Sequence, residues 1–213
     1  QEHFQHLIES LMNLHMEMPY TILQLKQAIE KLTEMDENDA IVHLVVSSGK
    51  DVYNQKSKSK PKVMILRSPL MNKRKNETVF KWKRLPAELK ESFGQKLITP
   101  YEMWENTIYY TDKDIVVGSI HSTIFWGKND ILYTPRVRED CYWDITRKWV
   151  ILTAKQLGIR VIEDKFIRSE LEDAYECFIS NSIDGIIPIS QMEDMKLLGK
   201  EGPIYERIHH AYL

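Results

Sequence analysis

Residues 115–147 read IVVGSIHSTIFWGKNDILYTPRVREDCYWDITR, and residues 178–189 read FISNSIDGIIPI. In the first stretch, short runs rich in β-branched and aromatic residues flank a Gly127-Lys-Asn-Asp130 turn, the signature of a hairpin. A loop containing Pro135 then leads into a helix opened by Ile145-Thr146-Arg147. The second stretch is a strand that runs into the small polar residues Asn181-Ser182. Ile145-Thr146 and Asn181-Ser182 are both placed to offer backbone N–H and hydroxyl donors to an anion. Helix N-termini and small-residue turns do this because their amide dipoles are unpaired.

Outward from these stretches the chain alternates between helical and extended patterns. Phe4, Leu7, Ile8 and Leu11 recur at helical spacing and predict a helix over 3–16. Thr21-Ile-Leu-Gln24 has capping-box spacing, with Ile22, Leu25, Ile29 and Leu32 as the buried stripe of a second helix. AIVHLVVS (40–47), VMILR (63–67), TIYYT (107–111), IVV (115–117), STIFW (122–126) and ILYT (131–134) read as strands. A helix is expected from about Thr146 to Leu157, with Gly158 suited to its C-terminal cap. Beyond it come a strand at 160–162, a short helix with a second capping box at Ser169–Glu172, strands at 177–180 and 186–189, and a last helix with Pro203 near its first position. The fold class this predicts is α+β (mixed α/β). A helix-and-strand lobe over 1–83 is joined by a connecting segment, 84–100, to a β-rich lobe over 101–213.

The charge pattern is uneven. Residues 56–84 hold 11 of the 29 Lys and Arg residues and read as an irregular basic stretch. Without interleaved aromatic or RNA-binding signatures, a solvated loop is the expectation there and nucleic acid is not expected as a partner. Net charge is −2, with 43% hydrophobic and 28% charged residues, as in an ordinary globular protein. Two cysteines, Cys141 and Cys177, make no disulfide framework, so a reducing, cytoplasmic setting is expected. No apolar run is long enough to span a bilayer. The histidines show no zinc spacing, no GxSxG or Walker sequence occurs, and the Asn76-Glu-Thr sequon reads as chance. The chain opens on Gln1 and runs directly into an amphipathic helix, which reads as a start already trimmed.

With those elements placed, the chain resembles the class IV aminotransferase family, the pyridoxal-phosphate enzymes of fold type IV. Glu2–Ser10 resembles the family's early helix EHxxRLxxS, and Ala40–Gly49 its yvRlxvtrG strand. Gly118–Phe125 is similar to EGxxSNvF, Lys128–Pro135 to dgxlyTP and Asp144–Arg147 to GiTR. Phe178–Ile189 resembles fxtnSxxGIxPV, and the segment from Gly202 resembles the terminal GpxtxxL helix. The resemblance implies a two-lobed D-amino-acid-aminotransferase-like fold, a homodimer, and pyridoxal 5'-phosphate as cofactor. The substrate would be a small amino or oxo acid or an aminodeoxychorismate-like compound, handled by transamination or lyase chemistry.

Carried over by position, the resemblance places Ile145, Thr146, Asn181 and Ser182 on the cofactor phosphate. Lys83 becomes the Schiff-base lysine, with Lys81 as alternative. The chain also departs from the family pattern. Neither lysine is followed by the usual Asn-Tyr, and Thr123 and Asp144 replace an Asn and a Gly. Val117 stands where a glutamate would pair with the protonated pyridine nitrogen, so carbanion stabilisation should be weakened. These departures support the alternative of a catalytically degenerate, cofactor-free scaffold or binding protein.

Overall fold

The computed structural model describes residues 2–34, 38–49, 60–70, 78–86, 106–137 and 144–212. Cys141, the Asn76 sequon, the KSKS and NKRK parts of the basic stretch and most of the expected connecting segment lie outside the described residues. The chain divides into two compact units, Gln1–Lys73 and Arg74–Leu213.

In the first unit, helix α1 covers Glu2–Asn13, three residues short of the expected end. His15 turns into the left-handed region (φ 51°), its N–H donating to Met12 O while Met16 N–H donates to Leu11 O. That paired C-terminal cap closes the helix before the apolar pattern runs out. Helix α2, Ile22–Thr33, starts as its sequence predicts. Thr21 Oγ1 accepts from Gln24 N–H at 3.2 Å, and Gln24 Oε1 accepts from Thr21 N–H at 2.8 Å. Strand β1 (Ala40–Ser47) pairs antiparallel with β2 (Lys62–Pro69), in register from Ala40↔Pro69 to Ser47↔Lys62.

The second unit is built on one sheet. Its strands are β3 (Thr78–Arg84), β4 (Thr107–Tyr110), β5 (Val116–Gly118), β6 (Thr123–Lys128), β7 (Ile131–Pro135), β8 (Arg160–Asp164), β9 (Glu176–Asn181), β10 (Gly185–Met192) and the short β11 (Met195–Lys196). Among the described residues their order is β5-β4-β3-β10-β9-β6-β7-β8, with β11 on β10. Both faces of the central strands are covered. Cys177 and Ile179 of β9 enter one cluster with Phe80, Ile108, Ile124, Trp126 and Ile189. Phe178 enters another with Phe125, Val150, Ala154, Ile204 and Ile208. Helices α3 (Ile145–Gln156) and α4 (Pro203–Tyr212) supply that second cover. Burial on both faces accounts for the near-continuous apolar runs of β6 and β9.

Two expectations need correction. The basic stretch is not irregular through Arg84, because residues 78–84 form β3, parallel to both β10 and β4. Phe80 is buried and Trp82 packs on the same cluster, while Val79, Lys81 and Lys83 alternate with them on the exposed side. β3 therefore belongs to the second unit. The short helix at Arg168–Leu171 is a 3₁₀ turn whose cap is shifted from the expected Ser169–Glu172 box. Glu170 Oε2 accepts from Ile167 N–H at 2.8 Å.

Glu176 joins three elements. It opens β9 with no exposed surface, and its carboxylate accepts from the N–H groups of Ile204 (3.1 Å) and Tyr205 (2.8 Å) in the first turn of α4. An anion at a helix N-terminus meets unpaired amides, which offsets part of the cost of burying the charge. Gly127 and Gly202 make room for it: a Cβ at Gly127 would lie 2.5 Å from Glu176 Oε1, and one at Gly202 would run into Oε2. Burial raises the Glu176 carboxyl above its ordinary value, and the α4 N–H groups pull it the other way.

Glu176→Ala should destabilise the second unit by roughly 2–4 kcal/mol in urea unfolding, since two buried donors lose their acceptor and a cavity opens. Gly127→Ala should cost a comparable amount through overpacking. A raised folded-state value supplies stability that is complete below the ordinary carboxylate range and lost as pH climbs through the raised value. Wild type should therefore lose melting temperature relative to Glu176→Gln as pH rises from about 4.3. A difference that stays flat with pH would refute the assignment.

Candidate functional site

Strand register brings three turns of the second unit to one end of the sheet. Thr123 opens β6 opposite Ser180, near the end of β9, and Asn181 pairs with Gly185 at the start of β10. The β5–β6 turn and the β9–β10 turn are therefore neighbours. Strand β7 runs antiparallel to β6, so its last residues reach the same end, where Thr134 Oγ1 donates to Ile124 O at 2.8 Å. Arg147 Nη2 donates to Pro135 O at 2.9 Å and fixes the first turn of α3 there.

Each turn has a local cause. Gly118 has φ +119°, and Ser119 N–H donates to Ser122 O at 3.0 Å, closing a tight reversal. A Cβ at Gly118 would also press on Ser122 O at 3.2 Å, so glycine is required twice over. Ser119, His121, Ser122 and Thr123 are all buried, an unusual run of polar residues. The β9–β10 turn is organised by Asn181. Its Oδ1 accepts from Ile183 N–H (2.9 Å) and Asp184 N–H (2.7 Å), an Asx-type closure. Its Nδ2 donates to Asp184 Oδ2 (3.0 Å) and, across to the other turn, to Ser122 Oγ (3.1 Å). At α3, Asp144 is the N-cap in extended conformation, and its Oδ1 accepts from Arg147 N–H at 2.6 Å. Both side chains are buried, and the Arg147 guanidinium also pairs with Glu163 Oε2 at 3.0 Å.

The residues expected in the site are distributed as follows. Ile145, Thr146, Asn181 and Ser182 all lie at this sheet end; Thr146 and Asn181 are buried, Ile145 is half-buried and Ser182 is exposed. Lys83 pairs with Tyr109, which pairs with Gly118, so the three form one cross-strand row. At about 4.8 Å per strand, that row spans roughly 10 Å. Lys81 sits two residues back, opposite Thr107. Both lysine side chains are exposed. Val117 is 1% exposed and packs with Leu85, Tyr109 and Ile120. Sequence reading did not single out Ser122, Asp184 or the capping role of Asp144. The Asp-Ile-Thr-Arg order is itself an N-cap signal that could have found the last.

Among the described residues, no cluster of His, Cys, Asp and Glu could hold a metal ion, and no helix is long and apolar enough to cross a membrane.

Comparison with known proteins agrees with this architecture. Residues 102–192 match the family model for amino-transferase class IV. D-alanine aminotransferase of Listeria monocytogenes is 25% identical, across 100% of this chain and 80% of its own length. Aminodeoxychorismate lyase of Bacillus subtilis is 27% identical over 49% of this chain and 36% of its own. Among solved structures, the branched-chain aminotransferase of Thermoproteus uzoniensis superposes with a TM-score of 0.79 at 22% identity, covering 99% of this chain and 76% of that one. The branched-chain amino acid aminotransferase of Escherichia coli gives 0.78 at 20% identity, covering 99% and 76%. The chain is similar to class IV aminotransferases over residues 102–192 and shares the α+β fold of the solved branched-chain aminotransferases.

Pyridoxal phosphate, typical of that family, can be tested against these residues. Its ring nitrogen needs a carboxylate; EGxxSNvF laid on Gly118–Phe125 sets that position at Gly118, one residue after the expected Val117, and neither residue carries a carboxyl group. Its phosphate needs donors without a competing anion. Here the Asp144 carboxylate already caps α3, and both polar ends of the Asn181 amide are committed within the chain. The residues present do not fit the group.

Because Asn181 closes one turn and ties it to the next, Asn181→Ala should destabilise the second unit by roughly 1–3 kcal/mol in urea unfolding. Asn181→Asp keeps the two acceptor bonds but sets a carboxylate against Asp184, so its cost should shrink as pH falls toward about 4. An Asp variant with no pH dependence would contradict this picture.

Proposed function

We propose that this chain is a class IV aminotransferase-like scaffold that has given up pyridoxal-phosphate chemistry and acts as a cofactor-free binding protein. The observation that carries the reading is the missing carboxylate: EGxxSNvF laid on Gly118–Phe125 sets its glutamate position at Gly118, and Val117 before it is buried against Leu85, Tyr109 and Ile120. A protonated pyridine nitrogen facing that cluster would be a desolvated charge without a partner, so the ring would lose its function as an electron sink. The fold survives such a change because Gly118 serves the tight β5–β6 reversal.

The second reading is a pyridoxal-phosphate-dependent aminotransferase or lyase acting through Lys83. The cross-strand row Lys83–Tyr109–Gly118 favours it, since it sets that lysine level with the start of the glycine turn.

Incubating the full-length protein with pyridoxal phosphate, reducing with borohydride and mapping the product by mass spectrometry separates the two. A colourless protein without a pyridoxyl-lysine peptide is the expected outcome. A stoichiometric adduct at Lys83, lost in Lys83→Ala, would overturn the scaffold reading and establish the second. Moved to Lys81, the adduct would do the same with the other lysine.

A further inference from the structure

We propose that Asp144 is an anion built into the fold, filling the N-terminus of α3 with the chain's own carboxylate and making this end of the sheet reject phosphate-bearing ligands. The inference deepens the cofactor-free reading and rests on it for the site's identity, but it is carried by different residues.

Helix α3 runs for 12 residues, so its first turn presents the unpaired amides and positive end that attract anions. Asp144 occupies that position from within. Its backbone is extended (φ −143°, ψ 172°), which turns the side chain back over the first turn, and Oδ1 takes the Arg147 N–H at 2.6 Å. With 1% of its surface exposed, the residue is shielded from solvent, so its charge is screened far less than that of a surface carboxylate. A second anion at the same turn would sit within a few ångströms of it.

The neighbouring cation does not reverse that balance. Arg147 is also buried; its Nη2 is held by Pro135 O at 2.9 Å and its charge is paired with Glu163 Oε2 at 3.0 Å, which leaves Nε without a hydrogen-bond partner. Nor does the adjacent turn help, because Asn181 is fully buried and Asp184 adds a further carboxylate beside it. Two turns that would have to supply donors to a phosphate thus carry acidic groups of their own. The geometry is that of an anion site with its anion attached covalently.

Two substitutions separate charge from capping. Glycine is accepted at N-caps and removes the carboxylate, while asparagine keeps an oxygen for the Arg147 N–H and removes only the charge. With inorganic phosphate as probe, titrated at low ionic strength and followed by amide NMR shifts at Ile145 and Thr146, wild type should show no saturable binding. Asp144→Gly should bind at least tenfold more tightly than wild type, and Asp144→Asn should fall between them. Circular dichroism on both variants checks that α3 remains folded; should Asp144→Gly unfold, the comparison of Asp144→Asn with wild type decides alone. Equal binding by wild type and the folded variants, or binding by none, would overturn the inference. A pyridoxyl adduct on wild-type Lys83 with phosphate discrimination intact would overturn the cofactor-free reading and leave the role of Asp144 standing.

Discussion

The Glu176 carboxylate, buried where β9 begins, is the constraint around which the second unit is arranged. A charge withdrawn from water must be met by donors, and the first turn of α4 meets it with two amides. Space must also exist for it, and Gly127 of β6 and Gly202 ahead of α4 leave that space. One side chain therefore sets the docking of a helix, the spacing of a strand pair and the residue type at two further positions. Cys177, next in line, lies wholly in the core, where burial pushes its thiol far up and leaves it to behave as a small apolar group.

At the other end of β9 the logic is repeated with a neutral group. Asn181 is also fully buried, and its amide answers two backbone N–H groups, Ser122 and Asp184. Asn181 thus ties the two turns together and α3 is capped from within by Asp144, while Ser180 Oγ and Arg147 Nε at this end stay buried without a hydrogen-bond partner. In the class IV aminotransferase-like architecture this chain shares, the Asn181 and Asp144 bonds stabilise the scaffold with groups that a ligand could otherwise use.

What could be read from the sequence was what is local. The capping box at Thr21–Gln24, the hairpin over Gly127–Asp130 and the helix opening at Ile145 depend on residues within one turn of each other, and they appear as expected. β3 was hidden because Lys81, Lys83 and Arg84 mask a period of two whose apolar members, Phe80 and Trp82, find their partners far along the chain. The end of α1 was misread because His15, not a glycine, takes the left-handed cap. In the candidate site, Ile145, Thr146, Asn181 and Ser182 were grouped by the family resemblance, and strand register sets them at one end of the sheet. The saturation of Asn181 did not, because Ser122 is 59 positions away and no local pattern announces it. The apolar surroundings of Val117 likewise depend on Leu85 and Tyr109, which only β3–β4 pairing brings near.

The parallel contact of β3 with β10 also has a consequence in time. Thr78 Oγ1 reaches Pro188 O across 110 positions of sequence, and among the described residues both strands paired with β3 are parallel to it. Closing so long a loop must precede the contacts that reward it, which is the ordering that makes parallel sheets slow to form. During synthesis, Phe80 and Trp82 would emerge well before β10 and wait unburied while the intervening hairpin and α3 take shape. The charged residues that obscure β3 as a strand thus have a second effect: Lys81, Lys83 and Arg84 keep a segment soluble that cannot yet be paired.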